Sequence, residues 1–136
     1  LDGMIERKFG RIVNVTSHAV KAPIAMLALS NGARCGLTGV IAGVARSVAE
    51  HNVTINNLLP GTFDTDRLKS NLAALAKNAA RDVAAVTEQI RAANPTKRFG
   101  RPEEFGATCA FLCSARVGYI TGQNILIDGG DYPGTF

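Results

Sequence analysis

Gly10-Arg11-Ile12-Val13-Asn14-Val15-Thr16-Ser17 and Val53-Thr54-Ile55-Asn56-Asn57-Leu58-Leu59-Pro60-Gly61 decide how this chain folds. In the first stretch, residues 11–16 alternate β-branched and polar side chains, the period of a strand. In the second, residues 53–59 form a run bounded by Asn52 and Pro60, the length and punctuation of a buried strand. Residues 124–127 read as a third short strand, stopped by Asp128-Gly129-Gly130. Between the first two strands the period becomes helical, with Leu37, Val40, Ile41, Val44 and Val48 on one face. Strands separated by helices imply parallel crossovers, so the expectation is an α/β sheet covered on both faces.

The remaining segments are helical as well. Residues 66–94 are rich in alanine, with leucine and valine at helical spacing, and read as one or two helices broken by Pro95. Pro102, Glu103 and Glu104 put proline and acids in the first turn of a last helix, Phe105 to about Ser114. Leu1 to Lys8 has neither the charge order nor the apolar length of a signal peptide and reads as the end of a helix that begins upstream. Gly36, Gly39 and Gly43 make a second stripe on the long helix, each costing roughly 1 kcal/mol relative to alanine. That cost points to another backbone close by, either a neighbouring subunit's or the domain's own sheet.

Composition narrows the class. Hydrophobic residues at 46% and charged residues at 19% are an ordinary globular balance that argues against disorder. No run approaches the ~18 apolar residues of a membrane span. The net charge of +4 is scattered, which suits an anionic ligand or simply a solvated surface. Nucleic-acid binding would want a basic stripe with aromatic platforms, whereas aromatics are 6% with no tryptophan. Cys35, Cys109 and Cys113 form no metal-ligand pattern and no even disulfide set, so no metal site is expected. Cys109 and Cys113, four apart on one helical face, read as packed, reduced thiols, and a cytoplasmic location follows from them.

The two opening stretches are followed in order by Thr65, Arg98-Phe99-Gly100-Arg101-Pro102-Glu103-Glu104, Tyr119-Ile120-Thr121-Gly122-Gln123 and Asp128-Gly129-Gly130. Together these blocks resemble the C-terminal half of the short-chain dehydrogenases/reductases, 3-oxoacyl-acyl-carrier-protein reductases among them. The resemblance implies the C-terminal part of a Rossmann-like doubly wound parallel sheet, three strands with flanking helices. Residues 1–136 would then be a partial domain without the N-terminal dinucleotide-binding half. No G-x-G-x-x-G turn follows a strand, since Gly36, Gly39 and Gly43 lie within a helix. The implied cofactor is NAD or NADP and the implied substrate a small carbonyl or alcohol. The implied partner is a second copy, through the helix at about 30–50 and the C-terminal helix and strand, with neither nucleic acid nor membrane involved.

By the same resemblance Ser17 hydrogen-bonds the substrate carbonyl. Pro60, Gly61 and the backbone of Thr62 and Phe63 hold the nicotinamide carboxamide, with Thr65 adding a hydroxyl. The plainer reading of Pro60 and Gly61 is that they end a buried strand. Residues 66–94 correspond to a segment that covers the substrate. Their apolar side chains suit an apolar substrate or packing against the domain equally.

One departure stands out. Ser30 and Arg34 occupy the positions where the family has its proton-donating tyrosine and the lysine that lowers the phenol's pKa. A serine hydroxyl is a weaker acid and stops several bonds short of a phenol oxygen. Arg34 keeps the positive charge and suits a ribose or phosphate, in a rigid fork unlike an ammonium. No tyrosine lies between Ser17 and Tyr119, so no shift of register restores the pair. The other donors open to such a site are His18, beside Ser17, Tyr132 in the tail, or an ordered water; His51 reads as a surface residue and Tyr119 as a packing one. Two functions therefore stand: part of an NAD(P)-dependent oxidoreductase with a divergent active site, or a non-catalytic binding or dimerisation module derived from the family. By itself the chain is expected to be inactive and to bind nicotinamide cofactor poorly.

Overall fold

Strand β2 (Val53–Pro60) is the axis of the molecule: every residue from Val53 to Leu59 is buried. The computed structural model describes residues 1–135. A short helix α1 (Asp2–Glu6) leads into β1 (Gly10–Val15), and the long helix α2 (Ala28–Val48) returns the chain to β2. Then come α3 (Asp66–Asn78), α4 (Val83–Ala93), α5 (Pro102–Cys113) and β3 (Asn124–Ile127). The three strands form one parallel sheet in the order β1-β2-β3, with β2 in the middle. Residues 66–94, expected as one or two helices, form two.

Two asparagines sit in the middle of this buried strand, each only 1% exposed. Burying an amide is unfavourable unless its hydrogen bonds are made. Register solves this for Asn57, which lies opposite Asn14 on β1 and Asn124 on β3. Its Oδ1 accepts from Asn14 Nδ2 at 3.1 Å and its Nδ2 donates to Asn124 Oδ1 at 2.8 Å. Asn56 points into the other neighbourhood, donating to the Ile120 carbonyl at 2.8 Å and accepting from the Gln123 amide at 3.0 Å. A slip of one residue would interchange the two amides and strand all four groups.

On α2 the buried stripe is Thr38, Ala45 and Val48, with Ile41 and Val44 half-buried. It is rotated by about one residue from the stripe expected from hydrophobicity, leaving Leu37 41% and Val40 65% exposed. Ala45 and Val48 pack with Val53 and Ile55 of β2, where a small side chain lets the helix approach the sheet. A Cβ added at Gly36, Gly39 or Gly43 would meet nothing within 4 Å among the described residues, so none of the three β-strands crosses the glycine stripe closely. Exposure also corrects two packing expectations. Cys113 lies on the surface of α5, while Cys109 is half-buried and burial pushes its thiol pKa up. Tyr119 is fully exposed rather than packed.

Helices α3 and α4 form a hairpin with a core of its own: Leu72, Ala76 and Val86, joined by Leu68, Ile90 and Phe99. Thr65 and Asp82 cap the two helices by accepting from Leu68 N at 3.2 Å and Ala85 N at 2.9 Å. Helix α5 begins at Pro102, and Glu104 reaches back to the Arg101 N–H at 2.8 Å.

Because Asn57 satisfies an amide on each neighbouring strand, Asn57→Ala is expected to lower the unfolding free energy by about 2 kcal/mol, the loss of two buried hydrogen bonds with their partners left unpaired. Asn14→Ala, at a half-buried position with one of these bonds, should cost less. Urea unfolding followed by circular dichroism measures both.

Candidate functional site

Parallel strands direct their C-terminal ends to one edge of the sheet, where loops converge. Thr16 continues β1 toward that edge, its N–H donating to the Leu58 carbonyl at 2.8 Å. Ser17 follows and caps a single 3-10 turn, His18–Val20, by accepting from Ala19 N at 3.1 Å. The cap fixes the Ser17 rotamer and leaves its O–H proton free to donate.

Ser30 and Arg34 stand one turn apart near the start of α2. Arg34 Nε donates to Ser30 Oγ at 3.1 Å, and Nη1 donates to the Thr16 carbonyl. The arginine thus ties the helix to the residue before Ser17. Its second terminal nitrogen, Nη2, has no partner among the described residues.

The Pro60–Gly61 turn presses on β3. Gly61 N donates to the Ile127 carbonyl at 2.9 Å, and a Cβ at Gly61 would fall 2.6 Å from Asp128 Cβ and 2.8 Å from its Cα. The plain structural role of this glycine is therefore real: only a bare backbone fits. Past it, Thr62 and Phe63 leave the sheet and bridge to Gly100, where a side chain would strike the Phe63 ring. The Thr62 carbonyl accepts from Gly100 N at 3.0 Å, whereas the Thr62 and Phe63 N–H groups have no acceptor among the described residues. Phe63 is also held edge-on by Phe105, with ring centroids 5.4 Å apart.

These elements enclose a cleft of about 640 Å³. Ser17, Ser30, Arg34, Pro60, Gly61, Thr62, Phe63 and Thr65, the residues singled out from the sequence, all line it. His18 lines it too, and so do Arg67, Leu68 and Asn71 from α3, which the sequence reading passed over. The available signal for Arg67 was its place two residues after the Thr65 cap, in the first turn of α3. Tyr119, Tyr132 and His51 are not among the lining residues. Tyr132 N instead donates to Asp128 Oδ2 at 2.8 Å, and His51 lies 3.6 Å from Glu50.

Beside the cleft, Arg98 grips Glu104 through two bonds, 2.7 and 2.8 Å, next to the Thr62–Phe63 segment. The Arg98 guanidinium, with the Arg101 N–H, holds the Glu104 carboxyl down to about 2.

A parallel α/β sheet with a polar cleft at the C-terminal ends of its strands defines a class of small-molecule enzymes and binding proteins. Residues 1–131 match the family model described as Enoyl-(Acyl carrier protein) reductase, and the chain belongs to the short-chain dehydrogenase/reductase family. It is 35% identical to an NADPH-dependent reductase of Bacillus subtilis, over 93% of this chain and 49% of that protein. It is 36% identical to an acetoacetyl-CoA reductase of Cupriavidus necator, over 98% of this chain and 50% of that protein. Among solved structures, an actinorhodin polyketide ketoreductase with NADPH superposes with a TM-score of 0.88 at 26% identity, covering 95% of this chain and 49% of the other. The chain spans about half the length of the curated relatives it matches.

Because the folded protein holds the Glu104 carboxyl near 2 while an ordinary glutamate takes up its proton near 4.5, this contact stabilises the fold above the higher value. Its contribution is lost as pH falls from about 4.5 to about 2. Thermal melts across that range should show Glu104→Gln less stable than the parent at neutral pH, with the difference closing in acid.

Proposed function

We propose that this chain forms the substrate and nicotinamide side of an NAD(P)-dependent reductase that interconverts a carbonyl and an alcohol. The observation that carries the reading is the convergence of all eight residues, chosen from sequence, on one cleft at the strand ends. The relatives supply the cofactor class, since one is an NADPH-dependent reductase and a structural neighbour holds NADPH. By the order of its blocks the chain corresponds to the C-terminal half of such an enzyme.

The cleft residues fit a nicotinamide. A carboxamide needs a donor for its oxygen, and the unpaired N–H groups of Thr62 and Phe63 offer donors in the cleft wall. Arg34 Nη2 and the Thr65 hydroxyl add two more polar positions. When bound, the nicotinamide would supply or accept the hydride. Ser17, with its rotamer fixed by the Ala19 N–H, orients the substrate carbonyl by donating its hydroxyl proton. Ser30 is held by Arg34 and is too short and too weak an acid to serve as a phenol does. Imidazole is the commonest general acid among side chains, and His18 supplies one in the cleft wall, next to Ser17 in sequence. His18 is accordingly the proposed proton donor, and the active site is divergent in this sense.

The second reading, a non-catalytic binding module, is favoured by the same Ser30–Arg34 pair, whose internal bonds include the tie to the Thr16 carbonyl. Single-turnover kinetics on the intact protein with NADPH and a panel of ketones separates the two. The reductase reading expects turnover, with His18→Ala slowing kcat about 100-fold while NADPH affinity holds. NADPH binding without turnover of any ketone, or turnover indifferent to His18, would overturn this assignment.

A further inference from the structure

The charge of the cleft is one-sided. His18, Arg34 and Arg67 line it, and no carboxylate does. Of the nearest acids in sequence, Asp64 borders the neighbouring hollow with Leu72 and Phe99 rather than this cleft, and Asp66 pairs with Lys69 at 3.5 Å. Arg34 spends Nε and Nη1 on Ser30 and Thr16. Arg67 is different: its guanidinium has no hydrogen-bond or ion-pair partner among the described residues. It stands in the first turn of a 13-residue helix, where the unpaired N–H groups add further positive potential. Arg67 is solvent-exposed at the cleft rim, and Leu27, Phe63 and Leu68 line the same cleft, leaving room for a carbon body beside it.

Resting on the reductase reading, we infer that the substrate carries an anionic group, a carboxylate or a phosphate, and that Arg67 receives it. A planar guanidinium fork matches either group through two parallel hydrogen bonds. With the anion held at the mouth of α3, the substrate carbonyl is left for Ser17 across the cleft. Arg34 adds to the positive potential without being the anchor, since two of its three nitrogens are bonded to Ser30 and the Thr16 carbonyl.

The test uses the intact protein, NADPH and two matched pairs: acetoacetate with methyl acetoacetate, and dihydroxyacetone phosphate with dihydroxyacetone. The charged member of one pair should have at least a roughly tenfold higher kcat/KM, and which pair responds identifies the anion. Arg67→Gln should raise KM for that substrate about tenfold while kcat, the neutral partner's kinetics and the NADPH Kd stay unchanged. Equal rates within both pairs overturn the inference. So does an Arg67→Gln protein that loses NADPH affinity, because the anion would then be the cofactor's own phosphate. If no ketone is turned over, the reductase reading fails on its own, and calorimetric titration with acetate and inorganic phosphate still decides the anion site. Binding that Arg67→Gln abolishes supports it, and identical titrations for parent and variant reject it.

Discussion

Everything at the working edge of this molecule depends on a row of three asparagines, Asn14, Asn57 and Asn124, hydrogen-bonded side chain to side chain across the sheet. A hydrophobic strand buried along its whole length has little to distinguish one register from the next, because each apolar residue fits about as well as its neighbour two places away. Amides do distinguish, since a buried polar group without its partner is costly. Once Asn57 is placed, Leu58 lies opposite Val15 and Pro60 opposite Ile127. Ser17 and Gly61 then emerge at the same edge, which is how a row of polar groups in the interior sets the geometry of a cleft several residues away.

The contact between Arg34, Ser30 and the Thr16 carbonyl is the second constraint. It joins the start of α2 to the end of β1 without using the strand ladder. A lysine in place of Arg34 would present one compact charge, whereas the guanidinium spreads three nitrogens, so the helix-to-strand tie and a free donor can coexist. The serine at position 30 is matched to this arrangement: it accepts from the arginine at a distance where a bulky ring would not lie. The pair therefore has a coherent structural role in addition to its place in the cleft.

The fold was legible in the sequence because its signals are local and periodic. The three strands lie within a residue of where patterning places them. Residues 66–94 are helical as expected, with the place of the break between the two helices not foreseen, and the last helix starts at Pro102, three residues before Phe105. The cleft residues were legible for another reason: they sit in short blocks whose order identifies the family. What sequence did not convey depends on three-dimensional packing. The asparagines in β2 carried no signal of their own within the run at 53–59, since only strand pairing reveals their partners. The buried face of α2 is turned toward Thr38 and Ala45, small residues chosen for close approach rather than hydrophobicity, so a pattern of large apolar residues points slightly wide. His18 was open only as one donor among several and Arg67 escaped notice, because their importance arises from which loops converge, and no spacing rule records that convergence.

Gly61 meets Asp128 so closely that neither backbone could shift without the other. The floor of the cleft is thus assembled from two pieces of chain far apart in sequence. During synthesis, Ser17, the start of α2 and the Pro60 turn all leave the ribosome well before Asn124 to Asp128 follow. Until then β2 has one open edge, Asn57 lacks half of its hydrogen bonds, and the turn has nothing to press against. The binding surface is therefore complete only once the last strand of the sheet is in place.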